Sequence, residues 1–371
     1  MATERVRVGV IGGGLIAQAA HLPNLRRLDT HFELVALADP SAKVREQVGR
    51  RFNLPATYET WEALVDAGGI DAVVICTPHS AHAGPILAAL DAGLDVLVEK
   101  PLCVTLEDAE RIVEAEQRTG RIVQVAYMKR YDPAVERMMT ELPREPGKLR
   151  YVSVVTYDPN MVREPFFLPS DLVRGDDIPA ATLERMRRSE REQLAAETGT
   201  DDPVAWQAYN FTFLSALSHD LNLIHGVLEQ IGESLPAEVI ASGRWADGWA
   251  GSGTLQLASG VQGSLTWLWL DGLQEYRDRF AVYLADAVHT LSFPAPYLGW
   301  PTTYERRHGD ALSQASQRAT AAIEPYVAEL LHFHACVTQR TPCRTAAAQA
   351  RLDMQVLKQM FLAAQAGVAG R

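Results

Sequence analysis

The sequence predicts two domains of different construction. An α/β domain on a doubly wound parallel sheet spans residues 1–126, and an α+β domain with a mostly antiparallel, open sheet spans 127–371. Three observations carry this. At 371 residues the chain is too long for one ordinary core. Up to about residue 125, short continuous runs rich in Val and Ile alternate with amphipathic stretches, the pattern of strands buried on both faces. Beyond that point strand-like runs succeed one another with short turns.

The first-domain strands are Val6–Ile11, Glu33–Ala38, Ala72–Cys76, Val96–Val98 and Ile122–Val125. Helical patterns fill 15–28, 41–51, 80–92 and 105–118, and Gly93 and Gly120 stand near two of their C-terminal ends. In the second domain the strands are Lys148–Tyr157, Ala237–Trp245, Gly253–Leu257, Val261–Leu270, Arg279–Leu284 and Ala287–Phe293, with closing helices over 311–338 and 344–366. Leu265, Trp267 and Trp269 share one face of their strand, and Leu268 and Leu270 the other. Helices can cover one apolar face; a second subunit is the simplest cover for the other, so a homodimer or homotetramer through this sheet is expected. Residues 160–205 form an insertion containing a charged helix, Pro179–Glu197, with Gly199 beyond its end. Its aromatics Phe166, Phe167, Trp206 and Tyr209 favour an ordered lid over a substrate cleft, with Arg163 and Arg174 available to meet substrate.

Composition narrows the class of function. A net charge of −11 argues against a nucleic-acid surface, which needs clustered cations. The four cysteines lack zinc or disulfide-framework spacing, and His79 and His82 have no carboxylate partners, so no metal site is expected. No apolar run approaches the ~20 residues of a membrane span, and no signal core precedes the first strand. The expectation is a cytoplasmic protein acting on a small molecule, with no membrane partner.

Gly12-Gly13-Gly14-Leu15-Ile16-Ala17 follows the first strand and opens the first helix, fitting G-x-G-x-x-A. Gly12 makes the tight turn, Gly14 admits a pyrophosphate close to the backbone, and Ala17 lets helix and strand pack closely. The helix N-terminus adds N–H groups and positive dipole. Asp39, at the end of the second strand, suits adenosine ribose hydroxyls and repels a 2′-phosphate. NAD is therefore expected over NADP, although Lys43 nearby leaves room for both.

The stretch from Ile75 to Leu102, with Thr77-Pro78-His79-Ser80-Ala81-His82 and Glu99-Lys100-Pro101, resembles the glucose–fructose oxidoreductase / inositol dehydrogenase (Gfo/Idh/MocA) family. Val125–Pro133 resembles that family's segment joining its two domains, and the later strands and closing helices follow its order. The resemblance implies an N-terminal Rossmann domain, Thr77, Pro78 and His82 along the nicotinamide side of NAD, and Glu99 bracing the cofactor. It also implies a cis Lys100–Pro101 peptide, with Lys100 facing the nicotinamide ribose and a substrate hydroxyl. In Phe213–His225, His219 takes the family histidine, while Ser215 and Asn222 stand where relatives carry Asp. A spacing of four places Ser215 and His219 on one helical face. Tyr127, Arg130, Tyr157, Ser215 and Asn222 are candidate substrate contacts.

The expected chemistry is NAD-dependent oxidation of a secondary alcohol on a sugar, cyclitol or glycoside. Lys100 is the preferred acid/base and His219 hydrogen-bonds or shares the proton. A free lysine titrates near about 10.4, and desolvation beside a cationic nicotinamide favours its neutral form. One alternative is redox-neutral oxidation–elimination of a glycoside, for which Tyr157 or the insertion would supply a second base. The other is a non-catalytic NAD-binding regulator, which the absence of Asp at position 215 would permit.

Overall fold

The computed structural model describes residues 4–159, 171–235, 238–273, 275–296, 299–309, 314–320 and 323–369. It divides the chain into two compact units: Met1–Ala126 with Leu168–Glu197 and Tyr326–Arg351, and Tyr127–Phe167 with Thr198–Pro325 and Leu352–Arg371. Part of the insertion and most of the first closing helix belong to the first unit.

In that unit β1 (Val6–Ile11) leads through a π-helical turn (Ala17–His21) into α1 (Leu22–Arg27). There follow β2 (Phe32–Ala38), α2 (Ala42–Arg51), β3 (Ala56–Tyr58), α3 (Trp61–Ala67), β4 (Ala72–Ile75), α4 (Ala83–Asp91), β5 (Asp95–Glu99), α5 (Leu106–Thr119) and β6 (Val123–Ala126). Every pairing is parallel, in the order β3-β2-β1-β4-β5-β6, the doubly wound sheet expected. All four residues of β4 are fully buried, which is why its sequence is an unbroken apolar run rather than an alternation. Thr105 caps α5 through a hydrogen bond from Asp108 N–H, and Gly120 ends that helix in the left-handed region. β3 and α3 are too short to have given a periodic signal.

The second unit opens with α6 (Pro133–Glu141) and β7 (Leu149–Asp158). The chain returns to the first unit for α7 (Ala180–Thr198), then enters the second again through α8 (Pro203–Gln207), a π-helical stretch Ala208–Ala216, and α9 (Leu217–Ile231). Strands β8 (Glu238–Trp245), β9 (Ala250–Gln256), β10 (Gln262–Trp269), β11 (Arg277–Leu284), β12 (Ala287–Phe293), β13 (Thr303–Gly309) and β14 (Gln314–Thr320) follow, then α10 (Pro325–Gln339) and α11 (Ala347–Ala369). The strand order is β14-β13-β12-β11-β7-β10-β9-β8, and within this sheet β7–β10 is the one parallel pair among the described residues. The helix expected from residue 311 is a correction: 314–320 pairs as β14, and the helix begins at Pro325. That segment's Ala-, Gln- and Ser-rich composition carries neither period strongly, so pairing with β13 decides it.

One face of the second sheet is packed on helices. Register places Val154, Leu265, Gly253 and Phe280 in line across four strands, all buried. Gly253 is small because a Cβ there would lie 2.3 Å from Met360 Cε of α11, and one on Gly251 would lie 2.9 Å from Thr212 Cγ2. On the opposite face Val155, Tyr157, Thr266 and Leu268 are only half-buried.

Candidate active site

The candidates of the first unit stand where β1, β2, β4 and β5 end. Gly12 has φ +92°, and a Cβ on it would sit 2.7 Å from the Cys76 carbonyl oxygen, so the turn off β1 requires glycine twice over. A Cβ on Gly13 would meet Val44 Cγ1 at 2.6 Å. Gly14, by contrast, faces open space with nothing within 4 Å of a Cβ, and Ala17 is fully buried against the sheet. Leu15 and Ile16 are half-buried at the start of the helix. This loop has the shape of a phosphate cradle: strained backbone, an open face and a helix N-terminus. The residues present therefore fit a dinucleotide.

Asp39 stands just past β2. Its Oδ2 accepts from Gly13 N–H at 2.8 Å and its Oδ1 from Ser41 N–H at 2.8 Å, tying the glycine loop to the strand end. Burial pushes this carboxyl above its ordinary range, against the pull of those two amides. Ser41 caps α2, its Oγ accepting from Val44 N–H at 3.0 Å. The Lys100–Pro101 peptide is cis, at the end of β5. Either side of it is anchored. Glu99 Oε1 lies 2.7 Å from Nε2 of the buried His21, and Pro101 O lies 2.8 Å from His82 Nδ1. Nε2 of His82 is 2.9 Å from Thr77 O, so this fully buried ring braces the loop after β4 against the loop after β5. Burial lowers the imidazole pKa against the pull of the backbone carbonyls, and a neutral ring donates to only one of the two at a time. Thr77 Oγ1 donates to Ala81 O at 3.1 Å, closing the turn that begins at Pro78. Glu329 of α10 was not anticipated. It is buried, and burial together with Glu99 raises its carboxyl well above the ordinary value.

The second unit carries the other sequence candidates. His219 is half-exposed on α9, with the Tyr127 ring edge-on to it at 6.2 Å between centroids. Ser215 lies in the π-helical stretch, where more residues fill each turn than in an α-helix, so a spacing of four across the junction no longer defines a common face. The Ser215 carbonyl accepts from Ser218 Oγ at 2.9 Å. Arg130 and Asn222, candidate substrate contacts, also hold one another. Arg130 Nη1 donates to the Asn222 carbonyl at 3.0 Å and to Asn222 Oδ1 at 3.3 Å, and Asn222 Nδ2 donates to Asp353 at 2.6 Å. His225 Nδ1 meets the other oxygen of Asp353 at 2.7 Å. This buried network pins residue 130 to α9, and it fits only because position 226 is glycine: a Cβ there would be 2.3 Å from Arg130 Cζ. Tyr157 lies on β7. Strand alternation puts it on the face opposite Thr156, with Arg277 5.6 Å above its ring. The aromatic and arginine residues expected at positions 163, 166 and 167 lie outside the described residues; Arg174 is exposed.

A buried ion cluster escaped the sequence reading. Lys129 Nζ lies 2.9 Å from Asp220 Oδ1 and 2.6 Å from Asp278 Oδ2, and Thr156 Oγ1 donates to Asp220 Oδ2 at 3.3 Å. Burial works to lower the Lys129 pKa, but the two carboxylates reverse this and raise it, fixing the ammonium charge. One cation cannot neutralise two buried carboxylates, and burial lifts Asp220 above its ordinary range despite Lys129. The signal was present in the adjacency of Lys129 to Tyr127 and of Asp220 to His219, but pairing them required the fold.

Residues 6–127 match the profile of the oxidoreductase family with an NAD-binding Rossmann fold, GFO_IDH_MocA. That match takes in about a third of the chain. A curated relative, inositol 2-dehydrogenase 3 of Saccharopolyspora erythraea, is 42% identical over 138 residues, which cover 36% of this chain and 39% of the relative. The match thus takes in about two fifths of that relative's length. In overall fold the chain resembles UDP-N-acetylglucosamine 3-dehydrogenase from Acidithiobacillus ferrooxidans, with a TM-score of 0.72 at 18% identity over 98% of this chain and 99% of that one. It also resembles a 3-ketoreductase from Actinomadura kijaniata in complex with NADP and TDP-benzene, with a TM-score of 0.69 at 18% identity over 95% and 96% of the two chains. Among the described residues no helix is long and apolar enough to cross a membrane, and no cluster of potential metal ligands occurs.

Proposed function

We propose that this protein is an NAD-dependent dehydrogenase of the Gfo/Idh/MocA family, acting on a secondary alcohol of a sugar or cyclitol. The observation that carries the reading is the conjunction, in one domain, of the open glycine cradle at Gly12–Gly14 with Lys100 at the end of β5, bracketed by Glu99–His21 and Pro101–His82. Strand C-termini are where doubly wound sheets place reacting groups. The inositol dehydrogenase relative supports a cyclitol as the first substrate to try.

In this reading the Gly12–Ala17 loop receives the pyrophosphate, Asp39 the adenosine ribose, and Thr77, Pro78 and Glu99 the nicotinamide side. A bound nicotinamide would supply the acceptor for a hydride from the alcohol carbon. Lys100 takes the hydroxyl proton, and the half-buried His219 of α9 is the second acid/base candidate. His82 acts as a positioning residue that fixes the two loops. Incubating the protein with NAD⁺ and a panel of inositols and sugars, and following nicotinamide absorbance, tests the reading; no NADH from any member would sink it.

Asp39 should make NAD(H) the tighter ligand. Titration calorimetry is expected to give NADH an affinity at least about tenfold above NADPH, a difference of ~1.4 kcal/mol. Tighter NADPH binding would reverse the assignment. The half-buried outer face of β7 and β10, with Val155 and Leu268 on it, is the proposed homo-oligomer interface. Sedimentation should therefore give a species larger than the 40.8 kDa chain at micromolar concentration. A monomer there would remove that role from the sheet.

A further inference from the structure

We infer that Asp176 and Asp177, from the part of the insertion packed on the first unit, are selectivity residues that occupy the place where a 2′-phosphate would bind. The inference rests on the proposed dinucleotide reading and deepens it. A cofactor phosphorylated on the adenosine ribose needs hydrogen-bond donors and a cation just beyond β2, at the start of α2. This chain has such a set: the Ser41 hydroxyl, the Lys43 backbone N–H and the Lys43 ammonium. All three are engaged by the protein's own carboxylates. Ser41 Oγ donates to Asp177 Oδ1 in a short hydrogen bond, and Lys43 N–H donates to Asp177 Oδ2 at 2.9 Å. Lys43 Nζ reaches both oxygens of Asp176 at 2.9 Å. The Ser41 hydroxyl and Lys43 amide hold the Asp177 carboxyl below its ordinary range, so it is ionised at neutral pH.

The segment is held there by contacts that do not involve these carboxylates. Gln18, on the helix after the glycine loop, donates to Val173 O at 2.8 Å and accepts from Val173 N–H at 2.9 Å. Arg51 Nη1 donates to Asp171 O at 3.0 Å. Gly175 permits the approach: a Cβ there would be 3.0 Å from Ser41 Cβ. Two carboxylates thus satisfy the donors that a phosphate would use and add like charge against one. Asp39, whose oxygens are committed to Gly13 and Ser41, then does not carry the discrimination alone.

The test is to measure NADH and NADPH affinities of the full-length wild type, the double variant Asp176→Asn/Asp177→Asn, and that variant with Lys43→Ala added. Low ionic strength limits screening of these exposed charges. The double variant should narrow the NADH-over-NADPH ratio by at least about tenfold, and adding Lys43→Ala should restore most of it. Asn keeps the size and a hydrogen-bond acceptor, and far-UV circular dichroism with thermal melting checks that each variant is folded. An unchanged ratio with NADH still preferred would overturn the inference while leaving the NAD reading intact, with selectivity resting on Asp39. Equal gains for both cofactors would overturn it by making the segment a general latch. A wild type that binds neither dinucleotide defeats both the inference and the reading beneath it.

Discussion

Replacing Lys100 by Ala is expected to abolish turnover while shifting NAD affinity by less than about tenfold, or ~1.4 kcal/mol. The separation of the two effects follows from how the residue is held. Its neighbours carry the anchoring: Glu99 against His21, and the Pro101 carbonyl against His82. Truncating the side chain between them removes the proposed proton acceptor and leaves these two anchors in place. Steady-state absorbance on the best substrate, paired with calorimetry for NAD, checks both halves. Substantial residual rate in Lys100→Ala would move the base elsewhere, His219 being next. A loss of NAD binding in step with activity would mean that Lys100 holds the cofactor instead.

Lys129→Met should be the most destabilising single substitution among those considered, by ~3–5 kcal/mol, because it leaves two buried carboxylates without their cation. Met nearly preserves the volume, so cavity formation contributes little. The deficit should also depend on pH in a defined direction. Burial already raises the folded-state pKa of Asp220 above its unfolded value, so the folded form takes up a proton more readily than the unfolded chain. The penalty for an ionised Asp220 is therefore present above the folded pKa and is relieved as pH falls toward the unfolded one. Without Lys129 that window widens upward. Denaturant unfolding should show a wild-type-to-variant difference that is larger at pH 8 than at pH 5. A difference below ~1 kcal/mol, or one that does not change with pH, would mean the cluster is hydrated rather than dry.

The legibility of this chain in its sequence is uneven, and the unevenness has a physical cause. Local rules sufficed where geometry is local. Gly12 must be glycine because of its own φ, and the run Ala72–Cys76 is apolar throughout, like Val6–Ile11 apart from the exposed Arg7, because both sheet faces are covered. The second unit is decided by distant pairings. Arg130, Asn222 and Tyr157 are candidate substrate contacts by their positions, but the sequence gives no sign of the partners that Arg130 and Asn222 share. Whether a polar side chain is available depends on what else reaches it, and Asp353 lies 131 residues from Asn222. Lys129, Asp220 and Asp278 form one cluster from three distant segments, and no spacing rule links them. The 314–320 strand was misread because pairing with β13, not its own composition, fixes it. The π-helical Ala208–Ala216 defeated face arithmetic because that arithmetic assumes 3.6 residues per turn.

The guanidinium of Arg130 fills the space where a side chain at position 226 would begin. The two positions are therefore one unit of inheritance. A lineage that keeps Arg at 130 can accept no Cβ at 226, whereas one that first exchanges Arg130 for a shorter residue is freed to place Ala in the middle of α9 and gain helix propensity of about 1 kcal/mol. Among descendants of this chain, Arg with Gly and a shorter residue with Ala should recur as matched pairs. The mixed combination of Arg with Ala should be the rare one, since it forces apart the network that reaches Asn222 and Asp353.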